Sequence, residues 1–146
     1  MEGDLAVRPA DWLSLTGSIA YTDATYRDYP NGPTPVEALN PTAANPGGSP
    51  VRDFTGQRLA GVPKWAASVG ADVTHPVGGR AEGYLHSDWS YRSSYYTVAS
   101  NSRYGLVPGY GLVNARAGVR LGEDGRYDLS VWARNLFDKR YFQTLN

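Results

Sequence analysis

The side chains in this sequence best suited to chemistry are arginines and tyrosines gathered in two polar segments. Arg52 and Arg58 lie in the first; Arg92, Tyr95, Tyr96, Arg103 and Tyr104 lie in the second. A guanidinium presents a rigid fork of donors to anionic oxygens, and a neighbouring ring adds a face for stacking or for a cation. The combination suits recognition of an anionic or aromatic ligand; the plainer use of the same residues is to solvate loops. Catalysis has less to draw on. His75 and His86 have no histidine or cysteine near them at zinc-ligand spacing. Ser93-Ser94 and Ser100-Asn101-Ser102 lack a positioned His–Asp pair. Glu123-Asp124 reads as a hairpin tip, and Gly47-Gly48 and Gly78-Gly79 lack the strand-to-helix setting of a phosphate loop. No catalytic residue, metal ligand or cofactor is expected, and the chain is not expected to be an enzyme.

The composition narrows the setting of these groups. Fourteen basic and fourteen acidic residues cancel, so no net field draws in nucleic acid. The absence of cysteine excludes disulfides, thiolate metal sites and a cysteine nucleophile. Eleven Tyr and four Trp against three Phe favour rings with a polar tip, which suit an interface more than a dry core. Seventeen Gly and ten Pro imply many turns within 146 residues. No apolar run approaches the ~18 residues of a spanning helix, and Met1–Asp4 lacks the pattern of a signal peptide. A mean hydropathy of −0.44 fits a soluble protein or a membrane barrel, where only alternate strand residues meet lipid.

The elements that carry the polar segments have a period of two. Between Lys64 and Thr74, Trp65, Ala67, Val69, Ala71 and Val73 oppose Lys64, Ser68, Asp72 and Thr74. Residues 112–121 and 127–134 repeat the pattern, as do 12–25 and 81–92, and Asp4–Arg8 reads as part of an earlier strand. Every charged residue in the bodies of these strands is even-numbered: Asp4, Arg8, Lys64, Asp72, Glu82, Asp88, Arg92, Arg116, Arg120, Asp128 and Arg134. Allowing each strand a free phase, chance would give this roughly one time in sixty. One face of the sheet therefore excludes charge.

The connections alternate in length. Pro9-Ala10-Asp11, His75–Arg80 and Glu123–Arg126 read as tight turns, whereas Asp28–Val62 and Ser93–Gly109 are long. The first long link, with Pro30, Pro33, Pro35, Pro41, Asn45-Pro46-Gly47-Gly48 and Pro50, has too many breakers for a helix or strand. Tyr21, Trp65 and Trp89 each fall about nine residues from the short-turn end of their strands, all odd-numbered, which at ~3.3 Å per residue and a tilt of about 40° is roughly 23 Å, near the ~25 Å apolar band of a membrane barrel. With Tyr91 beside Trp89, and Tyr127 starting its strand at the opposite end, these rings are candidates for membrane-interface girdles. Between them the odd face is small (Gly17, Ala67, Ala71, Gly83, Ala115, Ala117, Ala133), where a soluble core would interlock larger groups.

Two runs carry a family resemblance. Gly56-Gln57-Arg58-Leu59-Ala60-Gly61-Val62-Pro63-Lys64-Trp65 resembles the G-x-R-L-x-G-V-P-x-W run of TonB-dependent outer-membrane receptors, and Asn135-Leu136-Phe137-Asp138-Lys139-Arg140-Tyr141 resembles their NLFDKxY run. Tyr91–Tyr96 and Val107–Tyr110 are similar to further parts of that family, in family order. The resemblance implies an all-β, antiparallel up-and-down meander: about six strands of a transmembrane β-barrel of about 22. Residues 1–146 would be the C-terminal portion of that barrel, a single partial domain, lacking the plug and the closing strand with its terminal aromatic. It further implies a bacterial outer-membrane location in a Gram-negative cell and uptake of a ferric siderophore or similar nutrient. Expected partners are outer-membrane lipid, the plug and remaining strands of a parent chain, the TonB complex acting through that parent, and an iron-siderophore-like ligand, with no nucleic acid. Arg52, Arg58, Arg92, Tyr95, Tyr96, Arg103 and Tyr104 would then sit on extracellular loops, facing ligand or lipopolysaccharide. The alternative is a soluble all-β ligand-binding module whose apolar face packs inward; a barrel enzyme would need a Ser–His pair that the sequence does not offer.

Overall fold

The computed structural model describes residues 1–41, 46–122 and 125–145. Six long strands form one antiparallel sheet: β1 (Glu2–Ala10), β2 (Leu13–Tyr21), β5 (Trp65–Gly78), β6 (Ala81–Arg92), β9 (Tyr110–Leu121) and β10 (Tyr127–Ala133). Their order, β1-β2-β5-β6-β9-β10, follows the chain, so the sheet is the expected up-and-down meander. Four two-residue strands, β3 (Gly32–Pro33) with β4 (Val51–Arg52) and β7 (Tyr95–Tyr96) with β8 (Leu106–Val107), make two small ribbons. Among the described residues there is no α-helix; 3₁₀ turns stand at Val36–Ala38 and Arg103–Gly105, and no helix is long and apolar enough to cross a membrane.

Register keeps the two phases apart. In β9–β10, Leu129 faces Val119 and Val131 faces Ala117, while Asp128 faces Arg120 and Trp132 faces Arg116. A slip of one residue would put every charge on the apolar face, which is why alternation specifies pairing so strongly. In β1–β2, Leu5 pairs with Gly17 and Val7 with Leu15, after which a bulge shifts the pairing to Ala10–Leu13.

The turns lie later than their residue types suggest. Pro9 and Ala10 belong to β1, the bulge absorbing the proline that cannot donate to a ladder. Strand β5 runs on through His75 and Pro76 to Gly78, and Gly78 and Gly79, at φ of 118° and 58°, make the reversal. Thr74 N donates to Trp12 O at 2.9 Å, so β5 beyond Thr74 extends past the β1–β2 turn; there Pro76 no longer needs an amide proton on that side. The tip Glu123-Asp124 lies outside the described residues; its flanks, Gly122 and Gly125, both take positive φ.

By backbone contacts the chain divides into two units: Met1–Ala20 with Ala66–Tyr91 and Gly111–Arg140, and Tyr21–Trp65 with Arg92–Tyr110 and Tyr141–Asn146. In the first unit, made of the strand bodies, no described apolar side chain is fully buried. Its odd-numbered Leu5, Ile19, Val69, Val77, Leu85, Leu129 and Val131 are exposed, Val131 by 75 %. The inward packing that a soluble module would require is not seen on this face. The second unit holds the long connections and has a core of its own: Phe54 and Val107 at 0 % exposure, with Tyr95 and Tyr110 almost as deep. The first long link, expected to be free of regular structure, contributes the β3–β4 ribbon and a 3₁₀ turn to this core. Breaker residues suppress long elements, but a two-residue ribbon needs few donors, and Phe54 closes it: a Cβ on Gly32 would lie 2.7 Å from the Phe54 side chain.

Candidate functional site

The even face of the strand bodies is a connected polar surface. Arg120 Nη1 is 2.9 Å from Glu82 Oε1, and its guanidinium lies 4.6 Å from the centre of the Tyr84 ring. Tyr84 Oη donates to Asp128 Oδ1 at 2.8 Å, and Arg116 Nε donates to Ser130 Oγ at 3.1 Å while its guanidinium approaches Asp128. His86 Nδ1 is 2.7 Å from Asp72 Oδ1, and Asn114 Nδ2 donates to Asp88 Oδ2 at 2.7 Å. Asn114 Oδ1 in turn accepts from Asn135 N, anchoring the turn that follows β10. These pairs brace neighbouring strands, with most of the charges answered across the sheet. His86 thus has carboxylate neighbours but, among the described residues, no group of three or more His, Cys, Asp or Glu is placed to hold a metal ion.

All seven arginines and tyrosines singled out for ligand contact fall in the unit of long connections, but their surroundings divide them. Tyr95 is buried and donates through Oη to Gln143 O at 2.8 Å, so its polar tip is already used. Arg58 is half-buried and donates from Nη2 to Ser94 O at 3.0 Å; its own carbonyl accepts from Asn101 Nδ2. The carbonyl of half-buried Tyr96 accepts from Gly61 N. Those three knit the connections together. Arg52, Arg92, Arg103 and Tyr104 are exposed. Each arginine sits against a ring: Arg52 4.6 Å from the centre of Phe54, Arg92 5.8 Å from Tyr110, and Arg103 4.9 Å from Tyr104. Arg103 Nη2 also donates to Tyr104 Oη at 2.8 Å, which raises the guanidinium's pKa further.

The girdle candidates occupy strand ends. Tyr21 closes β2 and Trp65 opens β5, their rings 4.6 Å apart, and Thr22 N donates to Lys64 O beside them. Trp89 and Tyr91 stack at 5.9 Å near the end of β6, and Tyr127 opens β10. Ser93 N donates to Trp65 O, so along β6 Trp89 stands four residues, and Tyr91 two, short of the residue opposite Trp65.

Three residues that sequence reasoning passed over do much of the positioning. Glu37 accepts from Ser102 Oγ and from Arg103 N, at 2.7 and 2.8 Å. Partial burial pushes its carboxyl up, but the bonds from Arg103 N and Ser102 outweigh that, and the net pKa is lowered. Phe54 holds the other connection, edge-on to Tyr26 and Tyr29. Tyr84, an even-numbered ring, had a signal in its phase: an aromatic among charges on the polar face of a strand needs cations or donors around it.

The recurring runs also acquire a geometry. Gly56 and Gly61 both take positive φ, at 78° and 80°, around the Arg58 that reaches Ser94. Asn135, at φ 50°, donates from Nδ2 to Lys139 O and accepts from Lys139 N, closing the turn whose amides the strand no longer serves. No solved structure matches the chain. Residues 1–136 match the family described as TonB dependent receptor-like, beta-barrel. With a match over nearly its whole length, an up-and-down sheet and an exposed apolar face, the chain belongs to the TonB-dependent receptor β-barrel family, whose place is the outer membrane.

Proposed function

We propose that this chain forms part of the wall of a larger closed barrel in a TonB-dependent transport receptor, and that the receptor takes up a ferric siderophore or a similar anionic nutrient complex. The observation that carries the reading is the division of the sheet: its odd face is apolar and exposed, while its even face is charged and internally paired. Such an odd face is stable against acyl chains and unstable in water. Strands β1 and β10 each have one neighbour in the strand order, and an open sheet edge is not tolerated in hydrocarbon, so further strands would complete the wall. Tyr21, Trp65, Trp89, Tyr91 and Tyr127 are suited to the two interfaces, where rings with a polar tip lie at headgroup level. The exposed arginine–aromatic pairs, Arg103–Tyr104 first among them, supply ligand contacts; Arg58, Tyr95 and Tyr96 hold the loops that carry them. The TonB complex would act through a plug domain of the receptor, and the wall itself performs no covalent chemistry.

Two measurements on the full-length receptor test this. Val69→Arg places a charge on the odd face and should lose about 2–4 kcal/mol in heat-modifiable folding, whereas Ser68→Arg on the even face should lose much less. Equal tolerance of the two would end the membrane reading. Arg103→Ala should weaken binding of a ferric catecholate complex about tenfold, the effect of losing one charge-assisted contact of about 1.4 kcal/mol. Unchanged affinity would remove this pair from the ligand site.

A further inference from the structure

Among the contacts that join the two long connections is one carboxylate, which belongs to the first and lies more than sixty residues from its partners in the second. Glu37 belongs to the 3₁₀ turn Val36–Ala38, which follows the fixed φ of Pro35. Its Oε2 accepts from Ser102 Oγ at 2.7 Å and its Oε1 from Arg103 N at 2.8 Å. Ser102 is buried, and its Oγ also accepts from Tyr104 N at 3.3 Å, capping the second 3₁₀ turn, Arg103–Gly105. Both carboxylate oxygens are therefore spent on the first donors of that turn, where an unmet amide would otherwise be left. Glu37 grips the main chain of Arg103 and not its guanidinium. Among the described residues no carboxylate lies within ion-pair distance of that guanidinium, which turns instead to the Tyr104 ring and hydroxyl and stays exposed. The residue is held by its main chain while its guanidinium, which feels the Glu37 charge without pairing with it, stays exposed.

We propose that Glu37 is a positioning residue: it clamps the second connection to the first and so sets the direction in which Arg103 and Tyr104 are presented to ligand. The ligand half of this statement rests on the uptake function proposed above; the clamp itself does not. A carboxylate suits the task better than an amide, because each of its oxygens can accept and neither brings a donor that would compete with Ser102 or Arg103 N.

The test uses the full-length receptor in detergent, with two readouts. Amide hydrogen exchange at Arg103 reports the clamp directly, and ferric tris(catecholate), prepared from iron(III) and catechol, is the binding probe. Glu37→Ala should speed exchange at Arg103 at least tenfold and raise the probe's Kd about tenfold with the number of sites unchanged. Glu37→Gln, which keeps one accepting oxygen, should fall between. The Glu37→Ala/Arg103→Ala double variant should bind no more weakly than Arg103→Ala alone, since Glu37 acts through Arg103. Exchange unchanged in Glu37→Ala overturns the clamp. Additive losses in the double variant overturn the positioning role and make Glu37 a direct ligand contact. Failure of the unsubstituted receptor to bind the probe would count against the ligand class and leave the exchange result to decide the clamp.

Discussion

Gly118 is the place where one added methyl group should do the most harm to the sheet. It lies in β9 opposite Ser130, and the Tyr84 ring from β6 covers it. A Cβ at Gly118 would stand 2.7 Å from Tyr84 Cζ and Oη and 2.7 Å from the Leu129 carbonyl oxygen. The ring can swing away; the carbonyl belongs to a paired strand and cannot. Displacing the ring removes the bond from Tyr84 Oη to Asp128, about 1 kcal/mol at this exposure, and the guanidinium contact of Arg120, about 0.5–1 kcal/mol. Crowding against Leu129 O adds about 1 kcal/mol. Against these, Gly→Ala at an unstrained position ordinarily stabilises by about 0.4–1 kcal/mol through the unfolded chain. The net for Gly118→Ala is a loss of about 2 kcal/mol, opposite in sign to the ordinary result. Urea unfolding of the receptor, followed by tryptophan fluorescence, measures it. Tyr84→Phe should lose only about 1 kcal/mol, and Gly118→Ala should cost less in a Tyr84→Ala background, where part of the clash has gone. A Gly118→Ala variant as stable as the parent, or losses that simply add, would refute the account of Tyr84 as a ring seated on a glycine.

Other perturbations separate the two units. Phe54→Ala, at a site with no exposure and three aromatic or cationic neighbours, should lose about 3 kcal/mol of local stability, read as tryptic cleavage after Arg52 and Arg58 some hundredfold faster; unchanged cleavage would mean that the ribbon stands without its core. The Glu37 clamp should depend on pH in one direction only. Because its folded pKa lies below the ordinary carboxylate value, its contribution is complete above that value and is lost as pH falls through the folded pKa. Hydrogen exchange at Arg103 and Gly105, corrected for the intrinsic pH dependence, should show protection failing on that acid side in the parent and no such step in Glu37→Gln. A step on the alkaline side would contradict the assignment.

What could be read in advance follows from the length scale of each interaction. Strand identity and facing are local, set by side chains two residues apart, so the even-numbered charges, the six long strands and even the boundaries of 81–92 were legible before any coordinates. Turn positions were less so, because Pro9 and Pro76 look like breakers, yet whether a proline ends a strand depends on whether a partner needs its missing proton, and that is a property of the neighbouring strand. The site was the least legible part, for the same reason carried further. Arg58, Tyr95 and Arg103 are equal candidates by their setting in polar segments, but Arg58 is committed to Ser94 and Tyr95 to Gln143, while Arg103, bonded to its neighbour Tyr104, stays exposed. The residue that leaves it so, Glu37, lies 66 positions away in a proline-rich stretch whose composition says only that it is a loop. A contact across that separation leaves no period and no spacing. Its one local trace is a serine ahead of a tight turn, Ser102, whose capping role could have been guessed, though not the acid that completes it. The wall of this protein is thus written in its periodicity, and the direction in which it offers its arginines is written only in the fold of its long connections.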